Sequence, residues 1–241
     1  MESISLIALS RAAVLQRHMD IVANNIANSS TSGYKAERVL FEVAETKPTP
    51  NQPLDFVIDR GSYRDFSAGD VQMTSNPLDV ALNGEGFFAV RLPDGKTAYT
   101  RNGSFTINTE GMLVDHKGSI VIGEGGTELS FPAETKDISI GSDGTISTEQ
   151  AVLGKLQINT FDQPQLLRPY GDNYYVADRG TPGPNVDTRV IQGAIEGSNV
   201  SGVKEMTDMM QIVRSYQSVQ KILESEHERI RNAISKIGRT A

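Results

Sequence analysis

Residues 202–237 carry the stretch that decides the fold, GVKEMTDMMQIVRSYQSVQKILESEHERIRNAISKI. Apolar side chains recur along it at alternating steps of three and four residues, and only Glu226 interrupts the series. A mean repeat of 3.5 residues is typical of a coiled-coil seam, so the stretch predicts one long helix that needs a partner helix. The apolar members of this seam are Met209, Ile212, Tyr216, Val219, Leu223, Ile230, Ala233 and Ile237.

The opposite end of the chain carries a second seam of the same kind. Two such seams at opposite termini favour pairing with each other, which predicts a coiled coil between an N-terminal helix of about residues 3–28 and the C-terminal helix. An ordinary core helix is the alternative for either seam taken alone. The N-terminal seam consists of Met1, Ser5, Ala8, Ala12, Leu15, Met19, Val22 and Ile26.

The N-terminal helix has a further apolar face, which one partner helix cannot cover together with the seam. Ile7, Val14 and Ile21 recur on that face at every seventh residue. Since the chain has no other long helical pattern, we expect a helix from another copy or another protein to cover them. The terminal helices are then expected to be poorly ordered in the free monomer, because their apolar faces are fully covered only in an assembly.

The middle of the chain has a different pattern, with short apolar runs separated by Gly, Asp, Asn and Pro. Runs spaced near ten residues predict an antiparallel β domain that forms a barrel or a sandwich. A proline-rich stretch at 47–54 predicts a linker or arm. The predicted fold is therefore α+β, with a helical assembly domain of residues 1–46 and 196–241 and a β-rich outer domain of residues 55–195.

Composition excludes several classes of function. The chain has 241 residues, of which 38% are hydrophobic and 22% charged, so it is globular. Its net charge of -7 and its lack of Trp argue against nucleic acid as a partner. The absence of Cys excludes thiolate chemistry. No apolar run is long enough to span a membrane, and Glu2 and Arg11 argue against a cleaved secretory signal.

The residues predict no catalytic, metal or cofactor site. His18, His116 and His227 lie in unrelated contexts, without the spacing of metal ligands. An assembly protein explains both terminal seams, and this is the favoured interpretation. A secreted adhesin or carbohydrate-binding β module would explain only the middle of the chain, and an enzyme within the β domain is the third alternative.

Four short motifs stand in order along the chain: ANNIAN at 23–28, NPLDVALNGEGFF at 76–88, YTRNGSF at 99–105 and EGSNV at 196–200. In combination they resemble the flagellar axial proteins, the family of rod, hook and hook-associated subunits. Residues 120–126, IVIGEGG, and 143–147, DGTIS, are most similar to the proximal rod members of the F type. A distal rod or hook-type axial subunit is the alternative within the family.

The resemblance implies a structural subunit of the flagellar basal-body rod in the periplasm. Such a subunit is exported unfolded by the flagellar type III apparatus, without a cleaved signal peptide. It then stacks helically with its own copies and with other rod proteins and transmits torque. We expect the two seams to form the assembly interface. Asn24, Asn25 and Asn28 are expected either to cap the first helix or to bridge neighbouring subunits.

Overall fold

The computed structural model describes residues 2–45, 55–132, 137–149, 151–171, 173–178, 180–184 and 187–237. It has an N-terminal helix, a central antiparallel β-rich region and a C-terminal helix, which confirms the predicted order of elements. The predicted linker at 47–54 lies outside the described residues. The chain forms two compact units: a helical unit from the described parts of Met1–Ala27, Glu37–Asp65 and Ser201–Ala241, and a β unit from Asn28–Ala36 and Phe66–Val200.

Two long helices dominate the helical unit. Helix α1 spans Glu2–Ala27 and helix α2 spans Gly202–Ile237. At 1.5 Å per residue the 36 residues of α2 extend roughly 54 Å and the 26 residues of α1 roughly 39 Å. Helix α2 is therefore the longer of the two by almost three turns.

A two-stranded antiparallel ribbon completes the helical unit. Strand β1 spans Glu37–Glu45, and strand β2 spans Asp55–Arg64. The two strands pair along their whole length, with a register shift between Leu40 and Phe41, and both contact α1. The sequence-based domain boundary at residue 55 assigned β2 to the outer domain, whereas its pairing with β1 groups it with the helices.

The described residues of the β unit form sixteen short strands. Their largest connected set has the order β14-β15-β6-β5-β9-β8-β7, with β13 pairing to β5 and β16. Strands β10-β11-β12 form a second sheet, and β17-β4 and β18-β3 are pairs. Short 3-10 turns lie at Glu124–Gly126 and Pro164–Leu166. The strands are β3 Val71–Met73, β4 Val80–Asn83, β5 Phe87–Arg91, β6 Thr97–Thr100, β7 Phe105–Ile107, β8 Leu113–Asp115, β9 Ile120–Val121, β10 Ile138–Ile140, β11 Thr145–Thr148, β12 Val152–Lys155, β13 Ile158–Thr160, β14 Arg168–Pro169, β15 Tyr174–Val176, β16 Gly183–Pro184, β17 Arg189–Gln192 and β18 Ala194–Glu196.

Strand β5 lies at the centre of the β unit and is buried on both faces. Phe88 and Val90 belong to the main hydrophobic cluster, whereas Phe87 and Ala89 belong to a second cluster. Because successive side chains of a strand point to opposite faces, this division accounts for the continuous apolar run of β5.

Gly103 is among the glycines of the β unit that leave no space for a side chain. A Cβ atom at Gly103 would lie 1.8 Å from the carbonyl oxygen of Val80, whose N–H donates to the carbonyl of Gly103 at 2.9 Å. By contrast, Gly95 has a positive φ of 82° and open space around it, and its N–H donates to the carbonyl oxygen of Leu92 at 2.9 Å in the turn between β5 and β6. The two glycines are therefore needed for different reasons.

Candidate assembly surface

The predicted seams of the two helices face each other within the chain. Ala8 and Ala12 of α1 and Val219 of α2 form one buried cluster, against which Leu15, Tyr216 and Leu223 pack. The two alanines are small, so they let the helix backbones approach closely. Two further seam residues, Val22 and Ile212, are buried. Three others are half-buried: Met19, Ile26 and Met209.

The seam of α2 extends beyond the point where the antiparallel helix α1 begins. Asn25 of α1 lies beside Glu205, and Ala8 and Ala12 lie beside Val219, so the helices are antiparallel and the first residues of α1 are level with about residue 228. Beyond that point Ile230 is 40% exposed. The side chain of Ile237 lies outside the described residues.

The second apolar face of α1 is covered by the β1-β2 ribbon. Val14 and Ile21 are buried, Ile7 is half-buried, and the ring of Phe41 packs edge-on against His18 at 5.5 Å between centroids. The prediction that a helix from another molecule must cover this face is therefore wrong. The ribbon was missed because its two strands flank the proline-rich stretch that was interpreted as a domain boundary.

Asn25 holds the end of α1 against the start of β1. Its Nδ2 donates to the carbonyl oxygen of Glu37 at 2.9 Å, and its Oδ1 accepts from the N–H of Glu37 at 3.0 Å. Nδ2 also lies 3.2 Å from Oε2 of Glu205. Because Asn25 is fully buried, these contacts within the chain leave it no exposed surface for a neighbouring subunit.

The two other asparagines that were singled out have different surroundings. Asn28 follows the last residue of α1, and its Oδ1 accepts from the hydroxyl of Thr31 at 3.2 Å. The N–H of Thr31 donates to the carbonyl oxygen of Asn28 at 3.1 Å. Asn28 therefore stabilises the turn after α1. Asn24 is exposed near the end of α1.

A buried carboxylate joins α2 to the ribbon, and sequence reasoning assigned it no role. Glu205 is fully buried in the first turn of α2, and its Oε1 accepts from Nη1 of Arg38 at 2.6 Å. With the contact to Asn25, both carboxylate oxygens are hydrogen-bonded. The hint in the sequence was an acidic residue in the first turn of the seam helix, where a carboxylate also suits the helix dipole.

His18 is an ionisable side chain that lies between α1 and the ribbon. Burial lowers the pKa of His18 below its ordinary value. The carboxylates of Asp208 and Glu205 oppose that shift, and the guanidinium of Arg38 reinforces it. The imidazole is therefore favoured in its neutral form within the helical unit.

A second buried ionic cluster lies in the β unit. Lys35 is fully buried, and its Nζ donates to Oε1 of Glu196 at 2.5 Å and to the carbonyl of Ser67 at 2.6 Å. Arg101 donates through Nη1 to Oε2 of Glu196 at 3.2 Å, and burial lowers the pKa of the guanidinium despite this partner. These contacts therefore join four segments that are distant in sequence.

The outer faces of both helices carry apolar side chains that the chain does not cover. Leu6 and Leu9 of α1 are more than half exposed, and so are Met206 and Met210 of α2, while Val203 is 80% exposed. Leu6 and Leu9 are three residues apart on α1, and Val203, Met206 and Met210 follow one another on α2 at steps of three and four residues, so each group shares one side of its helix. Exposed apolar side chains grouped on one face are typical of surfaces that bind a partner.

The described residues offer neither a metal-binding cluster nor a membrane-spanning helix. They contain no group of three or more His, Cys, Asp or Glu side chains that could hold a metal ion. None of the helices described is long and apolar enough to cross a membrane.

Three models of protein families match the chain. The model described as "Flagella basal body rod protein" matches residues 6–35, which contain most of α1. The model "Flagellar hook protein FlgE/F/G D1 domain" matches residues 81–148 of the β unit. The model "Flagellar basal body rod FlgEFG protein C-terminal" matches residues 191–236, which contain nearly all of α2.

Full-length relatives are similar to the chain along almost all of its length. The flagellar basal-body rod protein FlgF of Caulobacter vibrioides is 36% identical over 244 residues, which cover 99% of each chain. FlgF of Mesorhizobium japonicum is 30% identical and covers 96% of each chain. FlgG of Buchnera aphidicola subsp. Baizongia pistaciae is 32% identical over 86% of this chain and 89% of its own.

Proposed function

Because the chain belongs to the family of flagellar basal-body rod proteins, F type, we propose that it polymerises helically through its helical unit to build the proximal rod and transmit torque. The chain is a structural subunit of the basal-body rod and not an enzyme. Membership of this family also argues against the alternative function of a secreted adhesin. The alternative of a distal rod subunit is less favoured, since the FlgF relative covers 99% of both chains and the FlgG relative 86% and 89%.

The observation that carries this proposal is the exposed apolar face on each terminal helix. Leu9 and Met206 are examples, and each would contribute roughly 1.5–3 kcal/mol if fully buried against another molecule. Charged and polar side chains would serve a free monomer better at these positions. The faces are therefore suited to contacts with neighbouring subunits.

The proposed division of labour assigns a different role to each helix face. The seam residues pair α1 with α2 as a coiled coil inside one subunit, which the cluster of Ala8, Ala12 and Val219 supports. The outer faces and the free end of the α2 seam at Ile230 contact other subunits. We therefore place the assembly contacts on the helical unit. The sequence predicted the seam as the interface, whereas the proposed interface consists of the exposed apolar side chains beside the seam.

The proposed partners are further copies of this chain and other rod proteins in the basal body. We also propose export through the flagellar type III apparatus without a cleaved signal peptide. Both proposals rest on the family and not on a contact within this chain. No cofactor and no nucleic acid enters the proposed function.

The test compares charged substitutions on the helices and on the β unit. Leu9→Asp with Met206→Asp is expected to abolish rod formation in a strain that lacks the native gene, as seen by electron microscopy of purified basal bodies. Met73→Asp is the matched control, because Met73 is 72% exposed in the β unit. Circular dichroism of each purified variant checks that it folds. Normal rods with the double variant would overturn the proposal.

A further inference from the structure

Two Asn-Gly pairs occur in the sequence, Asn83-Gly84 and Asn102-Gly103, and the structure surrounds them differently. An asparagine that precedes glycine is prone to deamidation, because the backbone nitrogen of glycine can approach the side-chain carbonyl carbon without a neighbouring Cβ in the way. The attack requires an asparagine side chain that is free to turn onto the next peptide nitrogen. The surroundings of each asparagine therefore decide which pair reacts in the folded protein.

The side chain of Asn102 is held in place at both of its polar atoms. Its Oδ1 accepts from the N–H of Ser104 at 3.0 Å, and its Nδ2 lies 3.5 Å from Nδ1 of His116. Gly103 is packed against the backbone of Val80 so closely that a Cβ atom would lie 1.8 Å from the carbonyl oxygen. Deamidation of Asn102 therefore requires a local opening of the β unit.

The side chain of Asn83 has no such restraint. Asn83 is the last residue of β4 and is exposed, whereas the three residues before it are buried. Within the part of the chain that the structure describes, no group is hydrogen-bonded to its side chain. Gly84 and Glu85, which follow it, are exposed as well. The amide of Asn83 can therefore turn onto the nitrogen of Gly84 while the chain stays folded.

A cation lies across the strand pair from Asn83. Arg189 of β17 is its register partner and is exposed too. Directly opposed residues of antiparallel strands project from the same face, so the guanidinium and the amide are cross-strand neighbours. The positive charge favours the negative charge that develops on the nitrogen of Gly84 during the attack, and later that of a carboxylate product.

We propose that Asn83 is a site of spontaneous deamidation in the folded protein, whereas Asn102 is protected. The backbone nitrogen of Gly84 attacks Cγ of Asn83, and the side-chain nitrogen leaves as ammonia with the proton that the backbone nitrogen loses. The product is a cyclic succinimide. Water then adds to one of the two ring carbonyl groups, and the bond from that carbon to the ring nitrogen breaks. The chain ends as aspartate or as isoaspartate, and each adds one negative charge at the end of β4.

The experiment incubates the full chain at mildly alkaline pH, with and without a denaturing concentration of urea. Trypsin places Asn83 on the peptide 65–91 and Asn102 on the peptide 102–117. Mass spectrometry measures the fraction of each peptide whose amide has become an acid, and fragment spectra locate the altered residue. An isoaspartate-specific methyltransferase detects the isoaspartyl product.

In the folded chain, Asn83 is expected to deamidate at least about tenfold faster than Asn102, because only Asn102 needs a local opening. In urea the two rates should agree within about threefold, since both pairs are then exposed to solvent. Asn83→Gln is the matched control, because glutamine would have to close a larger ring. It should remove the product from the peptide 65–91 and leave the peptide 102–117 unchanged.

The comparison of the folded with the unfolded native chain needs no variant, so the test stays decisive if Asn83→Gln does not fold. Circular dichroism before and after incubation verifies that the chain without urea is folded. Equal rates at Asn83 and Asn102 in the folded chain would overturn the proposal. Protection of Asn83 as strong as that of Asn102, with both residues reactive only in urea, would overturn it as well.

Discussion

Asn25 and Glu37 are paired as two residues of neighbouring strands would be, although one of them belongs to a helix. The amide of Asn25 donates to the carbonyl oxygen of Glu37 at 2.9 Å and accepts from its N–H at 3.0 Å. The Asn25 side chain thus satisfies both the N–H and the carbonyl group of Glu37, the first residue of β1. Asn25 therefore anchors the start of β1 to the end of α1 through side-chain hydrogen bonds.

Asn25→Ala is therefore expected to lower the free energy of unfolding by about 2–4 kcal/mol, because it leaves buried backbone groups of Glu37 unpaired. Urea unfolding followed by the helical signal in circular dichroism measures this change. Asn24→Ala, one residue away and exposed, should change the free energy by less than about 1 kcal/mol. Equal losses in the two variants would contradict the anchoring role.

The ion pair between Arg38 and Glu205 gives a second prediction. Arg38→Met leaves the fully buried carboxylate of Glu205 without its cation and is expected to cost about 2–4 kcal/mol. Adding Glu205→Met should recover much of that loss, since an apolar pair of similar volume replaces both charges. The comparison is a double-mutant cycle of urea unfolding. If the double variant were less stable than Arg38→Met, desolvation would not be the dominant cost.

The environment of His18 predicts how stability depends on pH. Its folded pKa lies below the ordinary value of 6.5, so the unfolded chain binds more protons in the window between the two values. Protonation therefore favours unfolding, and this contribution to stability is lost as the pH falls from 6.5 towards the lowered folded value. His18→Gln should make the midpoint of urea unfolding depend less on pH between pH 7.5 and 5. His227→Gln, at an exposed position of α2, should retain the native slope.

Gly103 tests the close backbone contact in the β unit. Gly103→Ala places a methyl group 1.8 Å from the carbonyl oxygen of Val80, and the segment that contains Gly103 must move away from β4 to relieve this overlap. We expect a loss of about 3 kcal/mol or more, measured by thermal unfolding. Gly95→Ala meets no neighbouring atom and should cost about 1–2 kcal/mol through its positive φ alone. Similar melting temperatures for the two variants would contradict this prediction.

Two positions of the α2 seam should separate stability from assembly. Val219→Asn alters a buried contact with α1 and is expected to cost about 3 kcal/mol or more in urea unfolding. Ile230 lies beyond the N-terminal end of α1. Ile230→Asn should therefore leave the free energy of unfolding within about 0.5 kcal/mol of the native value. Sedimentation velocity should nevertheless show weaker self-association for Ile230→Asn. A large loss of stability in this variant would mean that the free end of the seam is covered within the chain.

The helices could be predicted from the sequence because the apolar period is a local property. The seam positions of Ala8, Ala12 and Val219 follow from that period, and the cluster that they form agrees with it. The ribbon that covers Val14 and Ile21 could not be predicted in the same way, because its pairing spans a proline-rich stretch that signals separation. The spacing of apolar residues along a helix shows which helix face is buried, but not which other element covers that face.

Buried polar residues were the least predictable feature. Asn24 and Asn25 are identical in type and adjacent, yet one is exposed and the other is fully buried, because only Asn25 lies on the α1 face that meets Glu205 and β1. Lys35 and Glu196 are buried as a pair across 161 residues, and neither has a local signal. Such pairs are defined by tertiary contacts, which a single sequence does not display.

The hydrogen bond between Asn25 and Glu205 also has a kinetic consequence, since it joins residues that are 180 positions apart. Closing so long a loop is entropically costly, and contacts of high sequence separation form late in folding. The start of the chain must therefore wait for residues beyond 201 before its seam is covered. A chain truncated before Ser201 would keep Ala8, Ala12 and Leu15 exposed, and aggregation of such fragments would compete with their productive folding.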